Sequence, residues 1–216
     1  MARMFADRSD AGRQLAAALA KLPLTDPVVL ALPRGGVPVA SEVALALHAP
    51  LDLLIVRKIG APGREEYGIG ALVDGDDPQV VFNDEAMARF QPSPDYIAAE
   101  TARQIAEIER RRSAYLGDRP PLSVKDREVV LVDDGIATGG TVRAALLALR
   151  KNGAKRIVLA VPVAPADAIA SLGKEADDVV CLVTPERFYA VSQQYEDFEQ
   201  TTDEDVIRLL STRDGK

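Results

Sequence analysis

Cysteine and histidine are nearly absent from this chain of 216 residues: Cys181 and His48 each stand alone. One cysteine builds neither an internal disulfide framework nor a cysteine-rich zinc site. A hydrolytic triad would need His48. It sits in Ala46-Leu47-His48-Ala49-Pro50 with no serine elbow nearby, so it reads as a surface or helix-end residue. No run of 18 apolar residues occurs, so no membrane-spanning helix is expected. Residues 1–9 carry charges of both signs and no apolar run, which does not suit a secretory signal, and the cytoplasm is the expected compartment. Positive charge is in deficit, with 26 basic against 33 acidic side chains and a formal net charge of −7. Such a surface repels phosphate backbones and disfavours bulk nucleic-acid binding, while leaving room for one local basic pocket. Two phosphate fingerprints are missing as well. No Gly-x-Gly-x-x-Gly follows a strand pattern. Gly135 and Gly140 have P-loop spacing, but Thr141 stands where the lysine belongs.

What is present is a folded α/β composition, 47% hydrophobic, with glycine and proline near average shares. Runs at 28–32, 129–132, 157–163 and 179–183 are uniformly apolar and 51–56 is apolar apart from Asp52; all five read as strands buried on both faces. Helical patterns at 10–21, 37–47, 141–152 and 167–173 separate them, which predicts a parallel sheet with helices on both faces. The segment 83–121 breaks the rhythm with a long helical pattern. Ser93-Pro94-Asp95 supplies a cap, a first-turn proline and a first-turn acid. Ile97, Ile105, Ile108 and Tyr115 form an apolar stripe, and Gly117 ends it. Arg110, Arg111 and Arg112 read as last-turn cations offsetting the helix dipole, with phosphate binding as the alternative. One domain spanning 1–216 with a helical insertion is the simplest organisation.

The chemistry concentrates at 129–141. A buried strand ends in Asp133 and Asp134, a small-residue loop follows, and a helix begins. Ligands of open α/β sheets sit at the carboxyl ends of strands. Ala137, Thr138, Gly139, Gly140 and Thr141 can wrap a phosphate with backbone N–H groups at a helix N-terminus. The two acids can accept hydrogen bonds from vicinal sugar hydroxyls. A capped strand–helix turn is the structural alternative, but adjacent carboxylates at a buried strand end are costly without a ligand or cation. Two more strand ends point the same way. Arg34, Gly35 and Gly36 follow the first strand and open a helix. Arg57 and Lys58 close the second with two cations, against the alternatives of a plain glycine turn and a solvated basic end.

The stretch 129–141 resembles the signature of the type I phosphoribosyltransferases: an apolar strand, two acids, and a loop that binds phosphoribosyl pyrophosphate (PRPP). Gly135 departs from it, since relatives usually carry an aliphatic residue there. The 32–37 segment looks like the family's pyrophosphate loop, and the Arg57-Lys58 end like its pyrophosphate-directed basic strand end. Residues 56–63 with Glu66-Tyr67-Gly68 resemble adenine phosphoribosyltransferases, whose glutamate handles the base proton. The connection from Gly63 to Glu66 is shorter than theirs, and Glu66 also reads as a surface residue. Four of the ten aromatics fall between Phe188 and Phe198. This hood-like segment, about 185–200, resembles the end of hypoxanthine-guanine phosphoribosyltransferases, where the residue matching Phe188 stacks on the purine. Core or dimer packing is the alternative for Phe188. Against a 6-oxopurine, Ala137 replaces a loop aspartate, and no cation stands near 161–163 to read the oxo group.

The resemblance implies a type I phosphoribosyltransferase fold: a twisted parallel sheet, helices on both faces, and a hood over its carboxyl edge. It implies a PRPP-dependent pentosyltransferase of nucleotide salvage, with Mg²⁺ carried by PRPP and a small, purine-like nitrogenous acceptor. Asp133, Asp134 and Glu66 would be the catalytic set, with no protein-held metal. Arg34, Gly35, Gly36, Arg57 and Lys58 would face pyrophosphate, residues 137–141 the 5′-phosphate, and Phe188 the base. A homodimer fits the aromatic C-terminal segment. A PRPP-binding regulator without transferase activity, and a phosphosugar hydrolase, are the competing readings.

Overall fold

A computed structural model describes residues 4–211. Five parallel strands form the main sheet in the order β2-β1-β6-β7-β8. They are β1 (Val28–Ala31), β2 (Leu51–Leu53), β6 (Glu128–Val132), β7 (Arg156–Val163) and β8 (Asp178–Val183). Side chains of successive strand residues alternate between two cores. Val29, Ala31, Val130, Val132 and Val158 face helices α1 (Arg8–Leu19), α2 (Gly36–Ala46) and α7 (Asp203–Ser211). Leu30, Val129, Leu131, Ile157 and Leu159 face α5 (Gly140–Lys151) and α6 (Ala166–Leu172). Burial on both faces is why β1, β6 and β7 carry no polar alternation. The edge strand β8 is half-buried throughout, not buried on both faces as its apolar run predicts. The α/β class and the parallel sheet are therefore as the sequence predicts. His48 is exposed just beyond α2.

A second sheet departs from expectation. Strands β3 (Val56–Ala61), β4 (Arg64–Val73) and β5 (Gln79–Phe82) form a three-stranded antiparallel sheet packed on α5. The apolar run 51–56 is thus not one strand. The main-sheet strand stops at Leu53, and Val56 pairs instead with Val73. Periodicity missed the break because Leu54 and Ile55 are also buried, leaving the run unbroken. Pro62 and Gly63 make a two-residue turn between Ala61 and Arg64, with Gly63 at φ +69°. Proline presets one φ there, and glycine accepts the left-handed one.

The segment 83–121 folds into α3 (Asp84–Phe90) and α4 (Pro94–Leu116). Ser93 Oγ accepts from Tyr96 N–H at 3.2 Å with Pro94 in the first turn, and Gly117 ends the helix, as the sequence indicates. Ile108 and Tyr115 are buried, but Ile105 is exposed. The buried face instead continues through Gln104 and Arg112. The three arginines are not last-turn cations. Arg110 and Arg111 pair with Glu107 one turn back.

Arg112 turns inward and bridges the two sheets. It donates to Asp52 Oδ2 at 2.7 Å on β2 and to Asp74 Oδ2 at 2.8 Å just past β4. Asp52 also accepts from Leu122 N–H at 2.9 Å. Burial raises the Asp74 pKa despite its arginine partner. Removing one member of a buried ion network strands the others. Arg112→Met is therefore expected to cost about 3–5 kcal/mol in urea unfolding. A loss below about 1 kcal/mol would show that water satisfies Asp52 and Asp74.

Candidate functional site

The site begins where β1 and β6 lie side by side. Ala31 pairs with Val132, and Leu32 N–H donates to Val132 O at 2.9 Å. The chains leaving both strands therefore start in contact. The β1–α2 loop crosses directly over the two acids: a Cβ on Gly35 would collide with the Asp134 carboxylate. One on Gly36 would lie 2.9 Å from Val132 O and 3.0 Å from Asp133 Cα. Close backbone approach is what these glycines provide.

Asp133 Oδ1 accepts from the Asp134 N–H at 2.9 Å. Burial, and then the neighbouring Asp134 charge, raises the Asp133 pKa well above the usual carboxylate value. Burial also raises that of Asp134, against the opposing charge and hydrogen bond of Arg8. Arg8 is the site residue that sequence reasoning missed. Its Nε donates to Asp134 Oδ2 at 2.8 Å. Nothing in the sequence marks it, because it is one arginine on the first turn of an amphipathic helix. Tyr195 is the second omission. It reads as one of several C-terminal aromatics, yet it is fully buried and its hydroxyl donates to Asp134 O at 2.6 Å.

Beyond the acids, residues 137–141 lead into α5. Gly139 takes φ +77°, and Gly140 opens the helix with no side-chain cap. First-turn N–H groups of a helix lack intrahelical acceptors, which suits an anion. Gly135 also finds its explanation. A Cβ there would lie 2.5 Å from Val191 Cγ1 and 2.8 Å from Val163 Cγ1. Valine side chains from two other segments occupy the space that a side chain at 135 would need.

A cleft of about 810 Å³ adjoins this loop. Thr138, Gly140 and Thr141 line it, and so do Arg57 and Lys58. The two cations thus come from β3 of the small sheet, not from the end of a parallel strand. Arg57 Nε donates to Gln104 Oε1 at 3.0 Å. Lys58 Nζ donates to Glu66 O at 3.0 Å and to its carboxylate at 3.4 Å. Glu66 itself stands on β4, with its side chain 98% exposed. Arg34 lies 3.4 Å from Asp203 Oδ1, which also accepts from the Tyr115 hydroxyl at 2.8 Å.

Glu66 and Phe188 do not line the cleft, and neither do Arg34, Gly35, Gly36, Asp133 and Asp134. Phe188 is half-buried and packs with Val191 and Phe198 against Phe5, Val163 and Tyr195. Residues 161–163 are buried in β7. Ala137 is exposed.

An open parallel α/β sheet whose loops converge at adjacent strand ends, with two acids beside a small-residue loop at a helix N-terminus, is the arrangement in which α/β folds place a ligand site. The model of the phosphoribosyl transferase domain matches residues 6–199, and the chain belongs to that family. A provisionally named phosphoribosyl transferase of Mycobacterium tuberculosis (strain H37Rv) is 46% identical over 208 residues. That match covers 96% of this chain and 46% of the relative, so the chain spans about half the length of the curated relatives it matches. The crystal structure of TT1426 from Thermus thermophilus superposes with a TM-score of 0.83 at 46% identity, covering 95% of this chain and 97% of that one. A Neisseria gonorrhoeae protein crystallised with ppGpp shares the fold at a TM-score of 0.52 and 14% identity, over 95% and 92% of the two chains. Among the described residues, no helix is long and apolar enough to cross a membrane.

The glycines separate by what surrounds them. Gly35→Ala must push the Asp134 carboxylate aside, at an expected cost of about 1–3 kcal/mol. At Gly140 nothing lies within 4 Å of an added Cβ. Gly140→Ala should therefore stay within about 0.5 kcal/mol of wild type. Thermal unfolding of the two variants tests the contrast, and equal melting temperatures would contradict it.

Proposed function

We propose that the protein transfers ribose 5-phosphate from PRPP to a small, purine-like nitrogenous acceptor. The bond from C1 to the pyrophosphate oxygen breaks and pyrophosphate leaves with the electron pair. A bond from C1 to the acceptor nitrogen forms, and the acceptor proton passes to solvent or a base. The supporting observation is the packing of Gly35 and Gly36 onto Asp133 and Asp134, where the chains leave the last β1–β6 pair, Ala31 with Val132.

In this reading Asp133 and Asp134 take the ribose hydroxyls and stabilise positive charge developing on the sugar. Thr138, Gly139, Gly140 and Thr141 anchor the 5′-phosphate, with Ala137 leading into the cradle. Arg34 and the Gly35–Gly36 amides face pyrophosphate, and Mg²⁺ enters with PRPP as part of the substrate. Arg57 and Lys58 add positive potential from the small sheet across the cleft. Phe188 borders the acceptor, and a homodimer is the proposed assembly.

A second reading has its own observation. Glu66, the candidate for the base proton, is in water with Lys58 on its carboxylate. A protein without a proton acceptor at the base would bind PRPP and report it without turnover. Incubation with PRPP and Mg²⁺, with and without a panel of purines and pyrimidines, separates these readings. Pyrophosphate released only with a base is the outcome expected for the transferase. Release without a base indicates a hydrolase, and tight binding without release a sensor.

Thr141 tests the phosphate cradle directly. Loss of a hydrogen bond to a charged group costs about 1.5–3 kcal/mol. Thr141→Ala is expected to weaken PRPP binding in calorimetry within or just below that range. Unchanged affinity would remove Thr141 from the site.

A further inference from the structure

We propose that Arg8 is a positioning residue of the ribose site, holding the Asp134 carboxylate in the orientation and charge state that sugar hydroxyls require. The inference rests on the reading that Asp134 accepts those hydroxyls.

An exposed arginine–aspartate pair wanders and contributes little. Arg8 does not wander, because three anchors hold its guanidinium. Nε donates to Asp134 Oδ2 at 2.8 Å, and Nη1 donates to Glu199 O at 2.7 Å. The plane lies over the Phe198 ring, 3.7 Å from its centroid. The Arg8 and Asp134 side chains are only 11% and 15% exposed.

The backbone that delivers Arg8 is equally tied down. Met4 and Phe5 N–H groups both donate to Gln194 O at 3.0 Å, and Glu196 and Asp197 N–H groups return to Phe5 O and Ala6 O at 2.8 Å. Phe5 is buried against the Tyr195 ring at 5.3 Å. Asp7 caps α1 by accepting from Asp10 N–H at 2.7 Å. The first turn of α1 is thereby fixed to residues 194–199, and Tyr195 in turn holds the Asp134 carbonyl.

Arg8 need not compete with a ligand. It occupies Oδ2, and a carboxylate offers about four acceptor positions. Gly35 approaches the same oxygen, so arginine and glycine together bound the Oδ2 side of Asp134.

The charge argument agrees. The groups facing Asp134 are Arg8 from α1, Asp133 from its own loop, Tyr195 from the C-terminal segment and the Gly35 backbone. Arg8 is the cation among them. Burial pushes Asp134 toward its protonated form, and Arg8 opposes this by charge and by hydrogen bond. Without Arg8, the acid pair takes up its proton at higher pH and loses an acceptor for the diol.

Calorimetric binding of PRPP with Mg²⁺ across about pH 5–8 tests this in wild type, Arg8→Ala, Arg8→Gln and Arg8→Lys. The ligand's own titration is common to all four. Removing an opposite charge moves a carboxylate pKa by about 1–3 units. The acid limb of binding is expected to move up by that amount in Arg8→Ala and Arg8→Gln, with affinity near pH 6 falling about tenfold or more. Arg8→Lys, which restores charge without the planar fork, is expected to return the limb toward wild type. Arg8→Gln and Arg8→Lys keep the test alive if Arg8→Ala fails to fold. An unmoved acid limb in the folded variants, whatever their melting temperatures, overturns the inference. Asp134→Asn separates the two layers. Wild-type PRPP binding by that variant would defeat the ribose reading and the inference with it. Weak binding by it, with an unmoved limb in the Arg8 variants, defeats the inference alone.

Discussion

The site depends on the parallel register between β1 and β6. Because Ala31 lies beside Val132, the chains leaving the two strands start level and in contact. One must then pass over the other's acids, and only residues without a Cβ fit at 35 and 36. The register is secured by burial: Val28, Val29, Val129 and Val130 are wholly inaccessible. A slip of one residue would exchange the side chains that face the two cores. The strongest force in the molecule, apolar burial, thus sets the placement of its most polar atoms.

Charge is organised around that placement. The chain is acidic overall, yet Asp52, Asp74 and Asp134 meet cations drawn from distant segments. Arg112 reaches Asp52 and Asp74 across 60 and 38 residues, and Arg8 reaches Asp134 across 126. The first network joins the small sheet to the main one. The second joins the first turn of α1 and residues 198–199 to the acid loop. Both answer the same cost, the desolvation of a carboxylate, and both do so with arginine, whose fixed fork suits several acceptors at once.

The small antiparallel sheet changes how the site's cations are understood. Arg57 and Lys58 do not extend a parallel strand toward the crevice. They line a cleft that Thr138, Gly140 and Thr141 also line. The sheet's hairpin turns in two residues, Pro62 and Gly63, so Glu66 belongs to a paired strand. The helices α3 and α4 follow this sheet, and Arg112 of α4 ties it back to β2.

The sequence by itself determined the five strands of the main sheet, the helices between them, the capped start of α4, and the acid pair followed by a small-residue loop. These are local properties: burial on both faces leaves uniform apolar runs, and caps and turns need particular residue types at particular spacings. The tertiary structure alone decided where the run 51–56 divides, because burial continues across the change of pairing partner. It decided that Arg112 is buried while Arg110 and Arg111 stay near the surface, which three identical letters cannot encode. It decided that Val191 fills the space beside Gly135, and that Arg8 meets Asp134. Those contacts join residues far apart in the chain, and their energy exists only once the sheet has brought them together.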